Sequence, residues 1–261
     1  MSDSYLEAGC LYVVATPIGC LDDLSERARR ILLGVDLIAA EDTRHSGALI
    51  RHLGGKTPMV SLHDHNERER VPSIIERLKG DASVALISDA GTPLISDPGY
   101  RLVSAAHDAD IKVSPVPGPS AVTAALSASG LPTDRFSFEG FLPAKAGQRK
   151  DRLRSLALTS GTLVFFDTGK RIRSSMEDFA EVFGPDRRLC LAREISKRFE
   201  TIRRGSVAGL TAWLESDPDQ LRGEFVLVVE GAAEQAEEAN IATERLIAAL
   251  RNELSPSRLA K

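Results

Sequence analysis

Several things are scarce in this sequence. No apolar run approaches the ~20 residues that span a bilayer, so composition offers no helical membrane span. The stretch Met1–Gly9 has acids and no basic segment, which reads against a secretory leader. There are three cysteines, Cys10, Cys20 and Cys190, set far apart. That spacing suits neither a disulfide framework nor a cysteine metal site, and a reducing cytoplasm is the simplest setting. No G-x-G-x-x-G occurs, so the dinucleotide fingerprint is missing. Nor is there an excess of positive charge: the net charge of −4 counts mildly against a protein that coats nucleic acid.

What is present is an ordinary globular balance, 43% hydrophobic and 27% charged, over a length that suits two cores better than one. Short aliphatic runs alternate with amphipathic stretches. Strands are expected at Leu11–Ala15, Asp36–Ala40, Met59–Leu62, Val84–Ile87 and Lys112–Val116. Helices are expected between them at Leu24–Leu33, Ser46–Leu53, Glu67–Lys79 and Gly99–Asp108. Such alternation predicts a mostly parallel sheet with crossover helices, and the near-continuous apolar strands agree.

Pro117-Gly118-Pro119 punctuates the chain and places a domain boundary after residue 117. A small-residue helix follows at Ser120–Ser129. Later strands are expected at Phe136–Glu139, Thr162–Phe166, Arg188–Ala192, Thr201–Arg204 and Glu224–Glu230. Helices are expected at Arg149–Ala157, Arg173–Phe183 and Val207–Glu215. Several of these strands succeed one another without long crossovers, which predicts a mixed second sheet over residues 118–231. A helical tail, 232–261, is expected to begin at Ala232–Asn252 and to be cut short after the helix-start signal Ser255-Pro256.

The chemistry is expected in loops after the strands, where open α/β sheets bind ligands. Ala15-Thr16-Pro17-Ile18-Gly19 is stiffened by Pro17. Glu41-Asp42-Thr43-Arg44 places two acids beside an arginine, a pattern that serves an internal ion pair or a polar substrate equally well. His63-Asp64-His65-Asn66 lacks a third ligand at a useful spacing, and no metal is expected. The long loop Ser88–Tyr100 contains two glycines, two prolines and two aspartates, although a turn needs only four residues. Ala90-Gly91-Thr92 leaves little side-chain bulk to keep a ligand off the backbone. Asp97 reads either as a functional carboxylate or as the cap of the next helix. The opening of the helix at Ser120-Ala121 suits an anionic group. Five basic residues and one acid crowd Lys145–Arg154, with further basic groups at Lys170–Arg173 and Lys197–Arg204.

Taken together these blocks resemble the tetrapyrrole (corrin/porphyrin) methylase family, and within it the branch that modifies ribosomal RNA. The motifs are V-A-T-P-I-G, L-I-A-A-E-D-T-R, H-D-H-N-E-R, S-D-A-G-T-P-L-I-S-D-P-G-Y-R-L-V, P-G-P-S-A, S-A-S-G-L-P-T-D-R-F-S-F-E-G-F-L-P and G-E-F-V-L-V-V-E-G. They extend over Leu11–Gly231. The resemblance implies two α/β domains with S-adenosylmethionine folded between them, usually in a homodimer. It implies methylation of a cytidine 2′-hydroxyl in the 16S rRNA of the 30S subunit, in the cytoplasm. By motif, the donor meets Pro17, Ala90, Gly91, Thr92, Ile95, Ser120, Ala121, Asp167 and Phe225. Asp97 is the candidate base, with Glu41, Asp42 and Arg44 shaping its pocket. Lys145, Arg149, Lys150, Arg152, Arg154, Lys170 and Arg171 are the candidate phosphate contacts. The chain departs from the family pattern at Cys20, usually Asn, and at Phe165-Phe166-Asp167-Thr168-Gly169-Lys170-Arg171, usually F-[YF]-E-S-P-H-R. Methylation of a porphyrinoid or other small molecule, and non-catalytic ribosome assembly, are the alternative readings.

Overall fold

The computed structural model describes residues 6–233, so the expected tail helices lie outside the described residues. The chain divides into two compact units. One is Met1–Ala124 with Ser196–Arg198, and the other is Ala125–Ile195 with the residues from Phe199 onward.

The first unit holds β1 (Cys10–Val14), α1 (Glu26–Gly34), β2 (Leu37–Ala40), α2 (Thr43–His52), β3 (Met59–Ser61), α3 (Glu67–Lys79), β4 (Val84–Ile87), α4 (Tyr100–Asp108) and β5 (Lys112–Val116). Its sheet has the order β3-β2-β4-β1-β5, and every pairing is parallel. Successive strand side chains point to opposite faces, and here both faces are covered. Cys10, Tyr12, Val14, Ile38, Ala40, Ala85 and Ile87 meet Ala28, Ile31 and Leu32 of α1 and Ile50 of α2. Leu11, Leu37, Ala39, Val84 and Leu86 meet Val71, Ile74, Ile75 and Leu78 of α3 and Leu102 of α4. Two-sided burial is why these strands read as unbroken apolar runs.

Most elements differ from expectation by one to three residues at one end or both, and two of these shifts have a clear local reason. Helix α2 starts at Thr43 rather than Ser46, because the Asp42 carboxylate caps it by accepting the Arg44 N–H at 2.8 Å. Strand β2 starts at Leu37, because the Asp36 carboxylate accepts both the N–H and the hydroxyl of Ser83, each at 2.7 Å.

Helix α5 (Ala121–Ser129) contains the division between the units. The second unit continues with β6 (Phe136–Phe141), α6 (Ala146–Leu156), β7 (Thr162–Thr168), α7 (Ile172–Phe183), β8 (Arg188–Arg193), β9 (Thr201–Ser206), α8 (Val207–Glu215) and β10 (Glu224–Val229). The sheet order is β6-β7-β10-β8-β9, with only β6–β7 parallel. Phe165, Phe179 and Phe225 anchor its core, with the rings of Phe165 and Phe179 edge to face at 5.4 Å.

Candidate active site

Strands β1 to β5 of the first unit all run the same way, so their carboxyl ends share one edge. The loops beginning at Ala15, Glu41, Leu62, Ser88 and Pro117 leave from that edge. Thr16 and Gly91 are joined there by a short antiparallel bridge: Thr16 N–H donates to the Gly91 carbonyl at 2.9 Å, and Gly91 N–H to the Thr16 carbonyl at 3.0 Å. The Thr16 hydroxyl donates to the Ser88 carbonyl at 3.3 Å, and the Thr92 hydroxyl to the Pro119 carbonyl at 3.1 Å. Three loops are thereby tied together. Gly91 has φ +82°, and a Cβ there would meet Ile18 at 3.3 Å. Its N–H and carbonyl are both hydrogen-bonded to Thr16. The N–H groups of Ala90 and Thr92 have no protein partner among the described residues, and Ala90 is exposed.

Carboxylates crowd this edge. The Asp89 N–H lies 3.5 Å from Glu41 Oε2, and the Asp42 N–H donates to Asp89 Oδ1 at 3.3 Å, so the loops after β2 and β4 brace each other. Burial raises the Glu41 pKa, and the Asp89 charge adds to it. Asp97 is pushed up to about 6, first by burial and further by Glu41 and Asp89, although a hydrogen bond with the buried Ser88 hydroxyl opposes the rise. The alternative role for Asp97, capping α4, is not the one adopted. The N-cap of α4 is Gly99, with no side-chain cap from its own residue. Instead the buried Glu67 carboxylate, from the first turn of α3, accepts the N–H groups of Gly99 at 3.0 Å and Arg101 at 3.2 Å. Glu67 therefore does the capping that Asp97 could have done.

The loop is held in an uncommon backbone. Leu94 and Ser96 have φ of 72° and 69°, at a cost of about 1 kcal/mol or more each. Leu94 packs into the core beside α3 and α4. Ile95 is turned outward.

Asp42 and Arg44 are engaged with each other. Arg44 donates from Nε at 3.1 Å and from Nη2 at 2.8 Å to the Asp42 carboxylate, which also caps α2. Those bonds hold the Asp42 pKa well below the usual carboxylate range. That acidity removes Asp42 as a proton acceptor. Pro17, Ser120 and Ala121 are half-buried on the β1 and β5 loops of the same unit.

In the second unit, β7 extends to Thr168, so Asp167 lies within the strand, directly opposite Phe225 of β10. Both side chains are buried. The Phe225 ring belongs to the core and presents no side-chain surface to a ligand. Burial raises the Asp167 pKa, and its Oδ2 has no hydrogen-bond partner among the described residues.

The basic cluster needs correction. Arg149 is buried and bonds Asp178 at 2.5 Å, with further bonds to the Pro143 and Ala144 carbonyls. It cannot reach a phosphate. Lys150 pairs with Glu181 at 2.5 Å, Arg152 with Glu139, and Arg154 with Asp151 at 2.9 Å. Arg171 donates to the Leu142 carbonyl and lies 3.9 Å from Asp167. Lys145 and Lys170 are exposed, with no acidic partner among the described residues. Sequence reading missed Glu67 and gave Asp89 no role. Glu67 looks like any acid in a first helical turn, whereas Asp89, directly after a strand, could have been noticed.

Among the described residues no group of three or more His, Cys, Asp or Glu could hold a metal ion, and no helix is long and apolar enough to cross a membrane.

The family model for tetrapyrrole (corrin/porphyrin) methylases matches residues 10–211. The chain belongs to the tetrapyrrole methylase family. Among family relatives, the ribosomal RNA small subunit methyltransferase I of Pseudomonas aeruginosa is 54% identical over 92% of this chain and 86% of its own length. The protein of the same name from Escherichia coli O157:H7 is 46% identical over 94% and 86%. The crystal structure of uroporphyrin-III-C-methyltransferase from Thermus thermophilus superposes with a TM-score of 0.60 at 24% identity, over 85% of this chain and 94% of that one. This last likeness concerns the fold alone.

Proposed function

We propose that this chain is an S-adenosylmethionine-dependent methyltransferase of small-subunit ribosomal RNA, acting on the 2′-hydroxyl of a cytidine in 16S rRNA within the 30S subunit. The family and the names of its relatives support the reaction class. The observation that carries the choice of a hydroxyl acceptor is Asp97, a carboxyl raised to about 6 at the carboxyl edge of the sheet. Such a group is ionised at neutral pH, yet basic enough to take a proton as a C–O bond forms.

The first unit suits the cofactor: Ala90 leaves room beside the backbone, and the Ala90 and Thr92 N–H groups are open for polar contacts. Pro17, Ile95, Ser120 and Ala121 are the further positions where we place it. When bound, S-adenosylmethionine supplies an electrophilic methyl and leaves as a neutral thioether. Asp97 takes the hydroxyl proton. Ser88 orients Asp97, while Glu41 and Asp89 keep its basicity up. Alignment of the hydroxyl accounts for much of the remaining rate. Lys145 and Lys170 are the phosphate contacts we retain. We place the protein in the cytoplasm, as a homodimer.

The test is transfer of a tritiated methyl group to 30S subunits, compared with uroporphyrinogen, followed by nuclease mapping. Label on a cytidine ribose is expected. Label on the porphyrinoid alone, or on neither substrate, would overturn the reading.

A further inference from the structure

Tyr100 is 73% exposed, more than any other large hydrophobic side chain among the described residues. Its ring and hydroxyl have no partner among them. Its backbone is held firmly all the same. The two residues on either side, Gly99 and Arg101, donate their N–H groups to one buried carboxylate, that of Glu67. Leu94, six positions earlier, fixes the loop to the core. A mobile surface tyrosine needs no such grip. Here a rigid backbone displays an aromatic ring to solvent.

The surroundings indicate what the ring meets. Asp97 lies three residues earlier, which puts the two Cα atoms within about 11 Å. Arg101 follows directly, with its side chain 50% exposed and 3.6 Å from Glu67. Arg68, next to Glu67 in the chain, is also exposed. An exposed aromatic ring directly followed by Arg101, with the exposed Arg68 one residue from the carboxylate that holds this turn, has the makings of a single-stranded RNA site, where bases stack on rings and guanidinium groups meet phosphates. The basic residues of α6 are largely occupied by internal acids, so the RNA contacts of the first unit gain importance.

We propose that Tyr100 is the stacking platform for an unpaired nucleobase at or beside the methylated nucleotide, with Arg68 and Arg101 as its phosphate contacts. The proposal rests on the rRNA reading given above. It makes Tyr100 a binding and positioning residue and leaves the proton transfer to Asp97.

The experiment compares Tyr100→Ala and Tyr100→Phe with the parent in three measurements: anisotropy of a short single-stranded cytidine-containing oligoribonucleotide, methyl transfer to 30S subunits, and S-adenosylmethionine affinity. Loss of a stacked base weakens RNA binding roughly 5- to 150-fold. That loss is expected for Tyr100→Ala, while Tyr100→Phe stays within about twofold because any aromatic face suffices. Cofactor affinity is expected to stay constant in both, which also reports that they fold. Arg68→Ala should reduce the slope of log affinity against log salt by about 1, and Arg101→Ala by less, because its guanidinium already lies 3.6 Å from Glu67. Equal RNA affinity of Tyr100→Ala and the parent would overturn the platform, whether or not 30S subunits are methylated. So would a Tyr100→Ala variant that binds RNA normally but changes its sedimentation, because the ring would then serve a protein contact. RNA binding that depends on Tyr100, without methylation of 30S subunits by the parent, would support the platform and refute only the proposed acceptor.

Discussion

Helix α6 and the carboxyl edge of the first sheet are both crowded with ionisable side chains, and they differ in what surrounds each charge. In α6, Arg149, Lys150, Arg152 and Arg154 all have acids within ion-pair distance. At the sheet edge, Glu41 and Asp97 face other carboxylates and partial burial, and both are held above their ordinary pKa. The first arrangement neutralises charge and builds structure. The second withholds compensation, which is how sites tune groups for proton transfer. A charge run in a sequence therefore does not establish a charged surface; the partners decide.

The largest effect that could break this contrast is at Asp97. Asp97→Asn removes the proton acceptor and should lower kcat by about 10²- to 10⁴-fold, with cofactor affinity unchanged by calorimetry. In the parent, kcat/KM should fall as pH drops through about 6, because the base must be ionised. Glu41→Gln removes one of the charges that raise Asp97 and should move that acid limb downward. An unmoved limb would show that the two carboxyls are not coupled.

Arg149 tests the other side of the contrast. Arg149→Ala leaves the buried Asp178 without its partner. Such a loss costs about 3–5 kcal/mol, seen as a lower midpoint in urea. Arg154→Ala, at an exposed pair, should cost less than about 1 kcal/mol. Equal, small costs would mean that Arg149 is not structural, and would return it to the list of phosphate contacts.

The fold was far more legible than the site, and the reason is physical. Periodicity reports burial, and two-sided burial of β1, β2 and β4 leaves an unmistakable apolar signature. The ends of elements depend on single bonds, such as Asp42 capping α2, and were therefore displaced by a few residues. Asp97 could be singled out because its loop is too long and too rigid for a turn. Its two possible roles could not be separated, because the carboxylate that caps α4 comes from Glu67, some thirty positions away along the chain. The pairing of Arg149 with Asp178 is equally non-local. The density of K and R along a helix says nothing about acids arriving from its neighbour.

A smaller effect concerns stability. The Asp97 carboxyl rises from 3.8 to about 6 on folding. Between those values the folded chain keeps a proton that the unfolded chain releases, so stability falls as pH rises through the window. That rise sets a ceiling of about 3 kcal/mol, and the half-buried carboxyl realises less. Asp97→Asn cannot ionise. It should be more stable than the parent by about 1–2 kcal/mol above pH 6, and the difference should vanish below about pH 4. Denaturant titrations at pH 4 and pH 8 check the sign. A variant that is less stable at pH 8 would show that the Asp97 charge is compensated after all.

The smallest effect is in the salt dependence of RNA binding. Lys145 and Lys170 are exposed and have no acid beside them among the described residues. Each neutralised phosphate contributes close to 1 to the slope of log affinity against log salt. Lys145→Ala and Lys170→Ala should each lower the slope by about that amount. Lys150→Ala should lower it less, because its ammonium already faces Glu181 at 2.5 Å and Asp178 at 3.7 Å. If Lys150→Ala has the larger effect, those acids must give the lysine up when RNA arrives. The neutrality of α6 would then belong to the free protein alone.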